Sequence, residues 1–235
     1  MWEGTGDTVM DVARELTLDN NGATWKTRGM GFSSTSLSTA MDYLAPPFTL
    51  SAWARTTLNS SGYRGIITRG PWTSNDSNFE LGLRASSGLL GVYCYWKNNT
   101  SLQGTAVYPA GTTYADGEWR MFSAVVDADS ALTLYVNGSA IGSDASNLPP
   151  TSGTFDLEVG TGVQDFIGDI DVPSIHQRNL SASELHQLYQ DPHQLIRPRD
   201  EPVPILATGV APSAAIMNQL QGSNLGADLF NGTLL

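Results

Sequence analysis

The stretch DGEWRMFSAVVDADSALTLYVNG, Asp116 to Gly138, decides the fold. Trp119 to Asp127 and Ala131 to Asn137 are short runs rich in aromatic and β-branched side chains, the composition that packs on a pleated, half-buried surface. Ala128-Asp129-Ser130 between them leaves room only for a short hairpin connection. Asn137-Gly138 closes the second run with a tight-turn dipeptide, because both residues accept positive φ.

The same signals recur in both directions. Phe48 to Arg55 (FTLSAWAR) puts Phe48, Leu50, Ala52 and Ala54 on one side of a strand and Thr49, Ser51 and Trp53 on the other. Arg64 to Arg69, Asn78 to Arg84, Leu89 to Trp96, Phe155 to Gly160 and Phe166 to His176 read as further strands, separated by Gly-rich and Ser-rich turns. Many short strands at this spacing make an all-β, two-sheet antiparallel sandwich. One helix stands out. Ser181 and Glu184 form a capping box, Leu185, Leu188 and Tyr189 follow on one face, and Pro192 ends the helix.

The chain has 235 residues, which suits one large sandwich. A chain of that length buries about 70% of its unfolded surface and needs no covalent staples. Cys94 is the sole cysteine, so no internal disulfide forms. The net charge is −11, with Lys26 and Lys97 the only lysines, and a chain so acidic repels phosphate backbones. Nucleic acid is therefore excluded as a partner. No apolar run reaches the roughly 18 residues of a membrane-spanning helix. Met1 to Met10 has neither a basic nor an apolar signal region, which places the chain in the cytoplasm when it is made.

After Arg199 the character changes. Pro198, Pro202 and Pro204 break regular structure, and Ile205 to Leu235 is apolar, small and almost uncharged. We read residues 1–199 as the sandwich and 200–235 as an extension that anchors to a partner. Its burying residues are Ile205, Leu206, Ile216, Met217, Leu220, Leu225, Leu229 and Phe230, with a short helix expected within 211–220. Strand edges and this apolar extension also favour self-association into a homo-oligomer.

Four blocks resemble the laminin G-like domains of the concanavalin A-like jelly-roll family. DGEWRMFSAVVDADSALTLYVNG is similar to that family's paired core strands, and FTLSAWART to its early core strand. FIGDIDVPSIHQRNLSASELHQLY resembles its closing strand and helix, and EGTGDTVMDVARELTLDNNGATW its opening loop. Two departures stand out. Only Met1-Trp2 precede Glu3, where the family has a full strand, and Ala13-Arg14-Glu15 replaces the family's Ser-Gly-Asn. A shorter segment, QDPHQLIRPRDEP, resembles the region after the helix in structural proteins of tailed bacteriophages.

The resemblance implies a calcium site joining the opening loop to the closing strand. Its matching residues are Asp11, Asn20, Asn21 and Gly22 (through its carbonyl), with Asp169 or Asp171. Oxygen ligands drawn from two loops suit calcium. The same Asp and Asn residues also read as plain turn formers, Asn21-Gly22 above all. The resemblance further implies carbohydrate binding. Trp72, Tyr93, Tyr95, Trp96 and Tyr108 are candidates for an aromatic platform and Asn75 for bonding hydroxyls, although aromatics at strand spacing equally fill cores. Trp53 and Trp119 we assign to the core.

Catalysis finds no support. The related glucanases carry an alternating Glu-x-Asp-x-Glu strand, and this chain has no such triplet. His176, His186 and His193 lack metal-ligand spacing, and no activated nucleophile lies near them. Two functions fit what remains. One is a non-enzymatic virion protein of a tailed phage, assembled in the host cytoplasm, displayed on capsid or tail and contacting other virion proteins and host glycan. The other is a lectin-like carbohydrate-binding module.

Overall fold

A computed structural model describes residues 8–10, 17–41, 44–70, 78–86, 89–98, 101–107, 113–144 and 155–194. The extension 200–235 lies outside them. Numbered along the chain, eight strands form one antiparallel sheet. Its order is β1 (Thr8–Met10), β2 (Thr17–Asn21), β5 (Ser36–Met41), β14 (Phe155–Val159), β7 (Gly62–Arg69), β8 (Asn78–Ser86), β9 (Leu89–Asn98) and β10 (Ser101–Val107). Seven strands form the other: β13 (Ser139–Asp144), β12 (Leu132–Val136), β11 (Arg120–Val126), β6 (Phe48–Arg55), β15 (Ile167–His176), β4 (Met30–Ser33) and β3 (Thr24–Trp25). The described residues form a two-sheet jelly-roll sandwich with one short helix among them, α1 (Ala182–Gln190).

Alternation along the strands builds the core. Phe48, Leu50, Ala52 and Ala54 of β6 and Phe122, Ala124 and Val126 of β11 point inward. They meet Phe79, Leu81 and Leu83 of β8 and Ile66 and Ile67 of β7, with Phe48 and Phe79 ring centres 5.5 Å apart across the two sheets. The deciding hairpin forms as its sequence requires. Asp127 closes the β11–β12 connection by accepting from the backbone N–H groups of Asp129 and Ala131. Asn137 and Gly138 both take positive φ, 51° and 76°, to turn β12 into β13.

The outer face of the seven-stranded sheet carries a second, smaller cluster. Met121 and Val125, the outward neighbours of the core residues on β11, pack with Leu180, Leu185 and Leu188, and Trp53, Tyr135 and Tyr189 join them partly buried. The helix starts with the expected capping box between Ser181 and Glu184. Thr49 clamps its approach: the buried hydroxyl donates to the Arg178 carbonyl at 2.9 Å and accepts from the Leu180 N–H at 3.0 Å.

The strands that sequence alone leaves out are β1–β5, β10 and β13. Ser36–Met41 and Ser139–Asp144 are built of small and polar residues with little apolar alternation. Their neighbours supply the pairing: β5 lies between β2 and β14, and β13 borders β12. Part of what the sequence presents as an opening loop, Thr17–Asn21, is thus strand β2.

Candidate functional site

The outer face of the seven-stranded sheet also carries a ladder of planar groups. Strand register sets its base: Arg55 lies opposite Asp169 and Trp53 opposite Asp171, all four on the outward side of β6 and β15. Arg28 comes from the turn before β4. That turn lies directly on β15 because residue 29 is glycine, at φ +69°, where a Cβ would fall 2.3 Å from the Ile170 carbonyl oxygen. Trp119 is contributed by the residue before β11. Bidentate pairing of Arg120 with Asp116, at 2.6 and 2.7 Å, holds that connection and draws the Asp116 carboxyl down to about 2.

Stacking follows from these placements. The Arg28 guanidinium carbon sits 4.5 Å from the Trp119 ring centre and 4.9 Å from that of Trp53. Arg55 lies 5.0 Å from Trp119. Trp53 stacks in turn on Tyr189 of the helix, with centres 5.5 Å apart and planes 11° apart. Two carboxylates hold the cations from below. Arg28 Nε donates to Asp171 at 3.0 Å, Arg55 Nε and Nη2 both reach Asp169 at 2.8 Å, and Lys26 Nζ lies 2.5 Å from the other Asp169 oxygen. The acids are buried, with side chains 8% (Asp169) and 1% (Asp171) exposed, whereas Lys26, Arg28 and Arg55 are 40–47% exposed. Beside Asp171, Val172 has φ +46°, a strained value for a β-branched residue, at the bulge where Pro173 interrupts pairing with β6.

The sequence-derived candidates fall differently. Asp169 and Asp171 are the acids of this ladder, met by lysine and arginine. Asn20 closes a turn through the Ala23 N–H and carbonyl, and Asn21 donates to Ser38. Gly22 takes φ +95° beside Ser36. Asp11 lies outside the described residues, and among those described no group of three or more His, Cys, Asp or Glu side chains comes together. Gly22 and Lys26 instead help line a shallow depression of about 210 Å³.

Of the aromatic platform, Trp72, Asn75 and Tyr108 lie outside the described residues, and Tyr95 and Trp96 belong to β9. Tyr93 is buried and offers no open ring. Its hydroxyl bonds the buried Glu80 carboxylate, and Tyr63 meets it edge-on at 5.2 Å. Val163 donates its N–H to the same carboxylate at 3.2 Å, so the segment after β14 covers this part of the eight-stranded sheet. The ladder is the site that sequence reading missed. Trp53 and Trp119, assigned there to core, stand half-buried on the outer face with arginine side chains against them, Trp53 also packing on the smaller cluster of that face. The signal was available in FTLSAWAR, whose alternation sends Trp53 and Arg55 away from the core side.

A laminin G-like profile of the concanavalin A-like lectin/glucanases superfamily matches residues 30–186. The chain belongs to this superfamily. No curated protein sequence matches it. Among solved structures, the sandwich of this superfamily member is similar to the binding domain of Paraclostridial Mosquitocidal Protein 1, at 16% identity and a TM-score of 0.59, over 81% of this chain and 51% of that one. It is also similar to the binding domain of botulinum neurotoxin serotype D, at 14% identity and 0.61, over 83% and 51%. A third likeness is to the binding domain of botulinum neurotoxin DC in complex with SialylT, at 13% and 0.60, over 80% and 50%. The chain thus spans about half the length of these structures, and at such identities the likeness is one of fold.

Proposed function

We propose that this chain is a non-catalytic recognition domain that binds carbohydrate through the ladder on the outer face of its seven-stranded sheet. One observation carries the reading: two half-buried indoles, Trp53 and Trp119, lie against the partly exposed guanidinium groups of Arg28 and Arg55 at the surface. The guanidinium groups beside these rings can donate to sugar hydroxyls, and the ring surface that Arg28, Arg55 and Tyr189 leave open can pack against a sugar. The paired acids Asp169 and Asp171 are committed to cations and serve as supports, not as the free acid and base that glycoside hydrolysis needs. The solved structures of similar fold are binding domains, one of them in complex with SialylT, which fits this reading.

The test is retention on an immobilised glycan panel of the full chain and of Trp119→Ala. Binding by the parent that the variant loses, with no release of sugar on long incubation, is the expected result. A variant that binds as the parent does removes the ladder from the reading, and reducing sugar released from the panel removes the non-catalytic part.

For the setting we propose a virion surface, with residues 200–235 anchoring the domain to a neighbouring subunit. The apolar, nearly uncharged sequence of that extension and the resemblance of QDPHQLIRPRDEP to phage structural proteins support it. A chain ending at residue 199 should fold and bind sugar yet fail to join its assembly. A truncated chain that still assembles would sink the anchoring role.

A further inference from the structure

Resting on the carbohydrate reading, we propose that the ladder selects acidic sugars and that Arg28 binds their carboxylate. Arg28 spends only Nε on Asp171. Its two amino nitrogens have no hydrogen-bond partner among the described residues, and its side chain is 40% exposed. Its guanidinium carbon packs against both indoles, 4.9 Å from the Trp53 ring centre and 4.5 Å from that of Trp119. What remains is two amino groups in one plane on a partly exposed side chain, the donor set that matches a planar carboxylate with paired N–H···O bonds.

Charge points the same way. The ladder sets three cations, Lys26, Arg28 and Arg55, against two carboxylates, which leaves one positive charge on a chain of net charge −11. An extended polyanion would feel the whole negative surface, whereas a single carboxylate on a sugar feels chiefly the local excess, because exposed charges beyond about 8–10 Å are screened. Desolvation favours the same ligand class. A neutral sugar here would cover a guanidinium edge without giving it a charged acceptor, and charge-assisted bonds are roughly twice as strong as neutral ones.

The experiment is calorimetric titration of the full chain with tri-galacturonate and with sialyllactose, each against its methyl ester, which has the same shape but no charge. The expected result is binding of at least one acid, with its ester weaker by about tenfold or more, the effect of one charge-assisted pair. Which acid binds separates a uronic from a sialic source. Arg28→Lys keeps the positive charge and a partner for Asp171 but loses the planar edge, so it should weaken the acid by about tenfold more than it weakens the ester. Its thermal midpoint and near-ultraviolet circular dichroism check that the fold is intact. On nitrogen-15 spectra of the parent, the Arg28 Nε–H signal should shift on addition of acid.

Equal binding of acid and ester overturns the proposal but leaves the carbohydrate reading standing. Binding of neutral glycans alone does the same. If no sugar of either kind binds, both fall. Acid binding that shifts residues elsewhere and leaves the Arg28 signal unmoved also overturns the assignment.

Discussion

Replacing Thr49 by valine tests how the helix that carries Tyr189 is docked. Thr49 lies on the outward side of β6 and is fully buried. Its hydroxyl bridges the Arg178 carbonyl, at 2.9 Å, and the Leu180 N–H, at 3.0 Å, and Leu180 is itself buried. Valine keeps shape and volume, so packing alone predicts almost no effect. Hydrogen-bond accounting predicts otherwise. Two bonds at about 1 kcal/mol each are lost, and a stranded buried N–H adds about 1 kcal/mol or more, for a total near 3 kcal/mol. Thr49→Ser keeps the hydroxyl and loses one methyl, about 1 kcal/mol. With a urea slope of about 3 kcal/mol per M, the midpoint should fall by about 1 M for Thr49→Val and about 0.3 M for Thr49→Ser, with the slope unchanged. Since Tyr189 stacks on Trp53, the valine variant should also weaken the near-ultraviolet aromatic signal under native conditions. A valine variant as stable as the parent, or more stable than the serine one, would refute the reasoning, because packing would then outweigh the buried bonds.

Three further outcomes are expected. Gly29→Ala should destabilise by about 2–4 kcal/mol, since a side chain at φ +69° is strained and its Cβ would meet the Ile170 carbonyl at 2.3 Å. It should also change tryptophan fluorescence by moving Arg28, and an unchanged urea midpoint would contradict it. His176 is held below the ordinary imidazole range, chiefly by burial and then by Arg178. The unfolded chain therefore takes up the proton first, and stability should drop as pH falls through about 6.5. His176→Gln should flatten that limb between pH 8 and 5, and an equally steep limb would show another group to be responsible. Burial, and next the Glu80 charge, push the Cys94 thiol up, away from thiolate. Its reaction with a disulfide reagent should run about 100-fold slower or more in the native chain than in urea, whereas equal rates would mean that the strand is open.

How much of this was legible in the sequence depends on which force set each feature. Phe48–Arg55 and Arg120–Val126 were readable because inward positions are apolar and β-forming residues dominate. The capping box was readable because its two residues are three apart in the chain. Strands β5 and β13 were not, because neighbours impose their pairing on sequences such as SLSTAM and SAIGSD that express little preference. The ladder was hidden for another reason. Arg28, Trp53, Trp119 and Asp171 come from four separate segments, and register and the Gly29 turn bring them together. Tryptophan is usually well buried, which led to assigning both indoles to the core. The acids of Gly168-Asp169-Ile170-Asp171 stood out in the chain, but the lysine and arginines that meet them did not.

The energetics of the ladder favour presentation over cohesion. A partly exposed ion pair stabilises a fold by about 0–1 kcal/mol, and a buried carboxylate costs several to desolvate. Asp171, 1% exposed, bears that cost, while its partner Arg28 remains 40% exposed. Positive φ at Val172, next to it, adds about 1–3 kcal/mol of strain. A sandwich seeking stability alone would do as well with apolar residues at these positions. What the arrangement provides is a partly exposed guanidinium packed against two indoles and bonded to a buried acid. Ordering such a side chain on binding otherwise costs about 0.5–1.5 kcal/mol. The buried acid, the strained bulge and the glycine turn all surround the same partly exposed guanidinium, and under the proposed function removal of that ordering cost would appear directly as affinity.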